Sequence, residues 1–414
     1  MEREQVHDVI VVGGGAAGFF AAIEVARRRP DFQIEILERS KKVLSKVRVS
    51  GGGRCNVTHN EFNPIRLTHH YPRGEKWLRN PFKQFQSSDM IRWLEERGVE
   101  VHAEPDGRIF PVTNSSETII SCFLRETSKR KIRISTETGV QNILRSGEIF
   151  EIVTHSNVRY FARKVLVAVG GNPSSTFYDW IRDLGHTISR PLPSLFTFNT
   201  PAKAFTDLMG VSVSNAMVRI GGTKMTQQGP VLITHWGLSG PAIIRLSAWA
   251  AEYLNEQNYR FTLYVNWTGN FSEDEMRSEL EGHRSRHGRQ IITKNPLFSL
   301  PSRLWQRLCD LAEIDETKTW QDVSRRCINK LLENLIRCSF EVAGKTTFKE
   351  EFVTCGGVDL NEIEPSTMES RLVPNLFFAG EVMNIDGETG GFNFQAAWTT
   401  GYLAAAKIAD EQTC

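Results

Sequence analysis

The sequence predicts an α/β fold with a β-rich module, itself carrying a helical segment, set into its middle. Three observations predict it. A strand–helix–strand pattern opens the chain. The texture changes at Pro191-Leu192-Pro193-Ser194, where two prolines resist placement in a central strand or a helix interior. From Cys355 glycine becomes dense again and the α/β texture returns.

Val6 to Val12 is an apolar, β-branched run that meets a glycine cluster. Phe19 to Arg29 has the spacing of an amphipathic helix ended before Pro30, and Gln33 to Leu37 is a second strand. Glu148 to Phe161 alternates like a hairpin. Lys164 to Val169 is an apolar strand that stops at Gly170-Gly171. Beyond the prolines, Tyr259, Phe261, Leu263, Val265 and Trp267 alternate with polar residues, as in a half-buried strand. Ser272 with Glu275 forms a capping box that opens a helical stretch, continued by Leu300 to Ile314 and Trp320 to Cys338. β texture returns near Phe340 to Gly344. The expected division is 1–193, then an inserted module over 194–349, then 350–414. Within the module, 194–268 and about 338–349 are β-rich and 270–337 is helical.

Composition narrows the class. With 414 residues, 40% hydrophobic and 24% charged, the chain is long enough for two or three cores and ordinary for a globular protein. A net charge of +2 points to no polyanionic partner, and the basic segment Arg284-Ser285-Arg286-His287-Gly288-Arg289 is read as a solvated loop. The seven cysteines (Cys55, Cys122, Cys309, Cys327, Cys338, Cys355, Cys414) are odd in number and contain no C-x-x-C, which argues against a disulfide framework and a zinc site. No His/Asp/Glu cluster has metal spacing, so no metal is expected. Met1-Glu2-Arg3-Glu4 enters a strand without a secretory pattern, and no apolar run has membrane-spanning length. The expectation is a cytoplasmic protein without a membrane partner.

The chemistry begins at Gly13, Gly15 and Gly18, a G-x-G-x-x-G between a strand and a helix. The first glycine permits a tight turn, the second lets the backbone approach a pyrophosphate, and the third lets helix and strand pack closely. The phosphates then meet the positive end of the helix dipole. Glu38 ends the second strand, where a carboxylate accepts both ribose hydroxyls and disfavours a 2′-phosphate. The fold class is therefore of the Rossmann type.

Two further features choose FAD over NAD. Gly51-Gly52-Gly53-Arg54-Cys55-Asn56 follows a lead-in with Lys41, Lys42, Lys46 and Arg48. Its glycines let backbone N–H groups face an anion or a flavin ring, and Arg54 can neutralise pyrophosphate. Cys55 is read as a small packing residue beside the isoalloxazine. At the far end, Leu376-Phe377-Phe378-Ala379-Gly380-Glu381 is a strand meeting glycine and an acid. Gly390-Gly391-Phe392-Asn393-Phe394-Gln395 and an Ala-rich helix over Ala396 to Ala409 follow. The amino end of such a helix suits the flavin edge where negative charge gathers on reduction.

Gly51 to Asn56, Thr234-His235-Trp236-Gly237-Leu238-Ser239-Gly240-Pro241 and Gly380-Glu381 with Thr389-Gly390-Gly391-Phe392-Asn393 occur in the order in which they stand in one family. By them the chain resembles, over nearly its whole length, the bacterial BaiN-like flavoproteins. That family includes aminoacetone oxidase-like proteins and proteins proposed to reduce bile-acid intermediates. The resemblance implies an FAD-binding domain with an inserted β-barrel and helical module, and an NAD(P)/FAD-dependent oxidoreductase activity. It implies FAD contacts at Gly13, Gly15, Ala17, Gly18, Glu38, Arg39, Arg54, Asn56, Val140, Gly380, Glu381, Asn393 and Phe394. Cys55 and Gly170 join them from the reading of the loops. The chain departs from the family at Asn384, where Asp is usual, and at Val169, where related flavoproteins often carry Thr.

The flavin carries the redox chemistry and the protein supplies orientation. No C-x₄-C is present, which argues against a disulfide reductase. The one catalytic candidate is His235, which could donate a proton to a substrate carbanion or enolate; the sequence favours instead a turn held by His235 and Ser239 before the helix at Pro241. His7 and His69-His70 are expected at the surface. No second G-x-G-x-x-G follows another strand, so NAD(P)H would have to dock without a second fold of this kind.

The leading expectation is hydride transfer between FAD and a small organic molecule, either as C=C reduction fed by NAD(P)H or as amine oxidation by oxygen. Phe196, Phe198 and Trp236 would suit an apolar substrate. Alternatives of another class are a redox sensor without turnover and a nucleic-acid-associated flavoprotein. The latter would use Lys294, Arg303, Arg307, Arg325 and Arg326; no nucleic-acid partner is expected from the overall charge.

Overall fold

The computed structural model describes residues 5–201, 203–346 and 353–410. Met1 to Glu4, Cys414 and the expected 349/350 boundary lie outside these. Two compact units emerge, Met1–Ser194 with Lys349–Cys414, and Leu195–Phe348.

The first unit is built on one sheet. Its members are β1 (Val6–Val12), β2 (Ile34–Leu37), β3 (Arg133–Ser135), β4 (Val140–Ser146), β5 (Ile149–Thr154) and β6 (Arg159–Val167). Their spatial order is β3-β2-β1-β6-β5-β4. β1 is central and runs parallel to β2 and β6. Val9 to Val12 are all buried, as a strand covered on both faces requires. β6 is one continuous strand where the sequence suggested two pieces. Its first half pairs antiparallel with β5, and its second half pairs parallel with the strand Leu376–Phe378. That late strand is how the carboxy-terminal segment enters the sheet.

Helix α1 (Ala16–Arg28) starts three residues before the expected Phe19, because Gly15 is extended and caps it directly. It packs on the carboxy-terminal helix Phe392–Ala409. A methyl group at Gly401 would lie 3.1 Å from the Ala17 carbonyl, so the absence of a side chain sets this close approach.

The proline segment, read as a boundary, is itself a strand, Ile188–Ser194. Among the described residues it pairs with Val353–Val358 alone, in a two-stranded sheet whose register shifts between Ser189 and Leu192. An edge position with an irregular ladder is where proline is tolerated.

The second unit holds a seven-stranded sheet. Its order is Cys338–Ala343, Arg260–Asn266, Ser212–Ile220, Thr226–Ile233, Gly237–Ser239, Thr197–Asn199 and Lys345–Thr346. The first and last strands are consecutive pieces of one segment bent at Gly344, with φ +134°. The sheet therefore curls back on itself as a barrel. Between Asn266 and Cys338 lie the helices Glu273–Arg286, Ser302–Leu311 and Arg325–Ile336. The Ser272–Glu275 capping box is present in both directions. Trp305 anchors this module: it is fully buried, and its indole N–H donates to the Ile292 carbonyl at 2.8 Å. Truncating it to alanine would cost about 3–5 kcal/mol. Among the described residues no helix is long and apolar enough to cross a membrane.

Candidate functional site

Three glycine-rich loops of the first unit form the candidate site. At the first, Gly13 has φ +114°, and a Cβ there would meet the Ala168 carbonyl oxygen at 2.4 Å. A Cβ at Gly18 would lie 2.1 Å from the Gly13 oxygen. Both glycines are thus demanded by packing. Gly15 differs: its Cβ would meet nothing within 4 Å, so packing gives no reason for its bareness. What it does keep clear is the approach to the first turn of α1, which holds no acidic residue and no side-chain cap. Such a turn presents free N–H groups to an anion.

The Glu38 carboxylate accepts from the Gly14 N–H at 2.7 Å and from the Ser40 N–H at 2.8 Å. It borders a cavity of about 230 Å³ whose walls include Gly13, Arg39, Val140, Phe177 and Trp180. The Arg39 guanidinium stands 5.2 Å from the Phe177 ring centre.

The second loop breaks its helix deliberately. Ser45–Gly53 is interrupted at Ser50, which is extended, and Gly51, Gly52 and Gly53 all take positive φ. A Cβ at Gly52 or Gly53 would meet nothing within 4 Å, whereas one at Gly51 would strike Phe110 at 2.8 Å. Arg54 pairs with Glu104 at 2.6 Å and stands 4.0 Å over the Phe110 ring, so its charge already has a protein partner. Cys55 is fully buried, and burial pushes its thiol up to about 12. A thiol so placed is inert as a nucleophile. The Asn56 amide donates to the Thr58 carbonyl at 3.0 Å and accepts from the Gly391 N–H at 2.9 Å. This joins the second loop to the third.

The third loop follows Leu376–Phe378. Gly380 has φ +76°, a Cβ there would lie 3.0 Å from that of Ala17, and its N–H donates to the Thr400 hydroxyl at 2.9 Å. Glu381 accepts from Lys46 Nζ at 2.7 Å and from the Thr354 N–H at 2.8 Å. Gly171 leaves room for that carboxylate, which a Cβ would approach at 2.5 Å; Gly170 faces open space. Gly391 caps the carboxy-terminal helix with φ +93°, and no acidic residue stands in that helix's first turn. The Asn393 amide closes on Gly387 in both directions at 2.8 Å. Phe394 stacks on Trp398 with ring centres 5.7 Å apart. Asn384 donates to the Ser189 hydroxyl at 3.2 Å.

Several site neighbours escaped the sequence reading. Arg73 forks onto buried Asp386, which also accepts from Ser194 at 2.9 Å; burial, opposed by Arg73, raises the Asp386 carboxyl. His70 stacks on Phe392 at 4.1 Å and bonds Glu388 at 3.1 Å, and His59 stacks on the same ring at 4.6 Å. These partners are more than 300 residues apart in sequence, so no local pattern announces them. Only the basic lead-in hinted at Lys46. His7, expected at the surface, is 4% exposed. It lies between Glu35 and the Phe161 carbonyl because β1 enters the sheet with that residue turned inward.

In the second unit, His235 is exposed on a turn whose bonds come from its neighbour. The Thr234 hydroxyl donates to the Gly237 carbonyl at 3.0 Å and accepts from the Gly237 N–H at 3.2 Å. The His235 ring rests edge-on against Trp236 at 4.4 Å. Phe196 and Phe198 are core residues, 1% and 0% exposed, and so line no surface for an apolar substrate. Of the five basic residues read as a contact face, Arg303 and Arg307 bond Asp207, and Arg326 pairs with Glu313.

Gly15, Gly52, Gly53 and Gly170 are thus glycines whose missing side chains face space rather than protein, and Glu38 is a carboxylate fixed on two N–H groups. Those residues fit an extended dinucleotide such as FAD: backbone donors for phosphate, and a carboxylate for ribose.

A family model described as HI0933-like protein Rossmann domain matches residues 7–407. Among similar proteins is 3-dehydro-bile acid delta(4,6)-reductase of Clostridium scindens, 26% identical over 97% of this chain and 98% of that protein. Another is the ribosomal RNA dihydrouridine synthase of Escherichia coli, 28% identical over 99% of this chain and 98% of that one. Among solved structures, 3-ketosteroid-delta4-(5alpha)-dehydrogenase of Rhodococcus jostii RHA1 superposes with a TM-score of 0.51, at 12% identity over 99% of this chain and 98% of that one. At that identity the likeness is one of fold.

Proposed function

This chain belongs to the HI0933-like Rossmann-domain family and is an FAD-dependent oxidoreductase, and on that premise we propose that it reduces a carbon–carbon double bond conjugated to a carbonyl, with NAD(P)H as electron source. One observation carries the reading: relatives aligned over almost the whole chain are a delta(4,6)-reductase of a 3-dehydro-bile acid and a synthase of dihydrouridine. A double bond conjugated to a 3-oxo group and the 5,6 bond of uridine are the same electronic problem. A hydride adds at the β-carbon, charge collects on the carbonyl oxygen, and a proton completes the α-carbon.

Bound FAD supplies the hydride. The chain's own residues supply binding and order. Glu38, held by two N–H groups, would receive the ribose hydroxyls. The open first turn of α1 would take the pyrophosphate. Gly52, Gly53 and Gly170 would leave space for the ring system. Lys46 and the Thr354 N–H fix the Glu381 carboxylate, so it is oriented without rearrangement when the cofactor binds. The capped start of the carboxy-terminal helix offers fixed positive partial charge for the reduced state. Arg39, Val140, Gly380, Asn393 and Phe394 complete the proposed FAD set. Arg54 contributes through the Glu104 pair that anchors its loop, and Cys55 through packing.

The test is anaerobic mixing of the purified holoprotein with NADH and with NADPH. Flavin absorbance near roughly 450 nm is expected to bleach with at least one, and to return on adding a 4-en-3-one steroid or uridine-containing RNA. Bleaching by amines alone would make the protein an oxidase. No bleaching by either class would end the catalytic reading.

A further inference from the structure

The sequence made the segment from Arg284 to Arg289 a solvated loop; the structure corrects this, placing Arg284 to Arg286 in the last turn of the helix Glu273–Arg286, and gives the segment neighbours. Arg284 donates to the Gln321 and Val323 carbonyls at 3.3 and 3.2 Å. The Gln321 N–H donates to the Gly288 carbonyl at 2.8 Å, and the Trp320 N–H to the Gln290 carbonyl at 3.1 Å. The turn therefore lies against 320–323, directly before Arg325. Arg325 opens a twelve-residue helix with no acidic residue in its first turn. His283 and His287 sit beside the turn, 4.5 Å apart, and His283 lies edge-on to Trp320 at 5.0 Å.

What marks this cluster is that four arginines without counter-charge stand on adjoining segments. Among the described residues no carboxylate comes within ion-pair distance of Arg284, Arg286, Arg289 or Arg325. Elsewhere in the same module Arg277 and Arg337 are matched with Glu273, Arg307 with Asp207 and Arg326 with Glu313, whereas Arg219, Arg245, Arg260 and Arg303 share the lack of an ion pair among the described residues. The nearby acid Asp322 instead accepts from the Thr319 hydroxyl at 2.5 Å. The local field shows in His283, which is held below the ordinary histidine range by burial and by the positive charge of His287 and Arg286. Arg286, Arg289 and Arg325 are all exposed. Arg325 stands at the positive end of its helix, Arg284 and Arg286 in the last turn of Glu273–Arg286, and guanidinium groups free of carboxylates complement a run of phosphates.

We propose that Arg284, Arg286, Arg289 and Arg325 form a surface that docks the phosphate backbone of folded RNA. The proposal rests on the reductase reading only in making an RNA what the enzyme is brought to; the surface itself stands on charge. It moves the polyanion face away from Arg303, Arg307 and Arg326, whose partners are within the protein.

The test is fluorescence anisotropy of a labelled RNA stem–loop with the FAD-loaded full chain over a range of salt. The variant is Arg286→Gln/Arg289→Gln/Arg325→Gln, all exposed positions. Each lost phosphate contact is worth about fivefold at physiological salt, so affinity should fall on the order of a hundredfold and the salt slope should flatten by about 2–3. The charge-matched control Arg277→Gln/Arg307→Gln/Arg326→Gln should bind within about threefold of the parent. Equal losses in both variants, no binding by the parent, or binding to phosphatidylserine vesicles without binding to RNA would each overturn the proposal. Nicotinamide bleaching and reoxidation by the 4-en-3-one steroid, measured in the same variants, should be unchanged. RNA binding can therefore fail while the reductase stands, and the reverse.

Discussion

The unit built on β1 and the unit built on the barrel offer a ligand different things. The first offers backbone and empty space: Gly15, Gly52, Gly53 and Gly170 matter for atoms they lack, and Glu38 is fixed by two N–H groups before any ligand arrives. The second offers side-chain charge, and the charges that count are those left over after internal pairing. A site made of backbone demands particular conformations at particular positions. A site made of charge depends on which neighbours cancel, a property of the fold and of no single position.

The sharpest break of this comparison lies within one motif. Gly18 and Gly15 are both glycines of the G-x-G-x-x-G, yet a Cβ at Gly18 would sit 2.1 Å from the Gly13 oxygen and one at Gly15 would touch nothing. Gly18→Val should destabilise the fold by about 3 kcal/mol or more, since backbone cannot yield as a flexible side chain does. The expected outcome is insoluble or flavin-free protein. Gly15→Ala should leave apoprotein stability within about 1 kcal/mol while weakening FAD at least about tenfold through lost close approach. Urea unfolding of apoprotein with flavin titration separates the two; equal effects on both quantities would show that Gly15 is also a packing residue.

Next in size is Glu38. Two charge-assisted bonds to ribose are worth about 1.5–3 kcal/mol each, so Glu38→Ala should bind FAD at least on the order of a hundredfold more weakly. It should be isolated largely without yellow colour. A full flavin complement would remove Glu38 from the proposed set.

A smaller effect compares the units through their histidines. His59 and His186 in the first unit and His283 in the second are all held below the ordinary range, burial being the largest cause in each. As pH falls below about 6.5 the unfolded chain takes up protons first. Stability is therefore complete above that pH and is lost as pH falls through the folded-state values. The His186 side chain is fully enclosed between Glu362 and Ser370, whereas His283 is part-exposed. His186→Gln should flatten the stability–pH curve below about pH 6.5 more than His283→Gln does. Equal flattening, read by urea unfolding, would mean that enclosure does not set the difference.

The legibility of the two regions follows the same division. Gly13, Gly15, Gly18, Glu38, Gly380 and Gly391 stand at fixed spacing from strands and helices, so their setting could be read from periodicity. Arg54 could be named but not its Glu104 partner, fifty residues on. Asp386 with Arg73, and His70 with Glu388, arise from contacts across more than 300 residues. In sequence the prolines at 191 and 193 read as a boundary without a strand, because the edge position that admits them is a fact of topology. The pairing of Arg307 and Arg326, and the isolation of Arg286 and Arg289, could not be seen before the helices were placed.

His235 gives the smallest expected effect and the cleanest contrast with Glu38. Glu38 is marked by its place at the end of the second strand and His235 by its place in a turn before Pro241. Glu38 is bound by backbone on two sides, while the turn around His235 is held by the Thr234 hydroxyl and Gly237 and needs nothing from the imidazole. Among the described residues the exposed ring rests on Trp236 and has no orienting partner of the kind a general acid requires. His235→Ala should thus change kcat of the reductase by less than about threefold and leave the pH profile in place, while Thr234→Val, which removes the hydroxyl from the turn, should lower stability by about 1 kcal/mol. A His235→Ala variant slowed on the order of a hundredfold, with the acid limb of its pH profile gone, would reverse the assignment and make this turn the source of the proton.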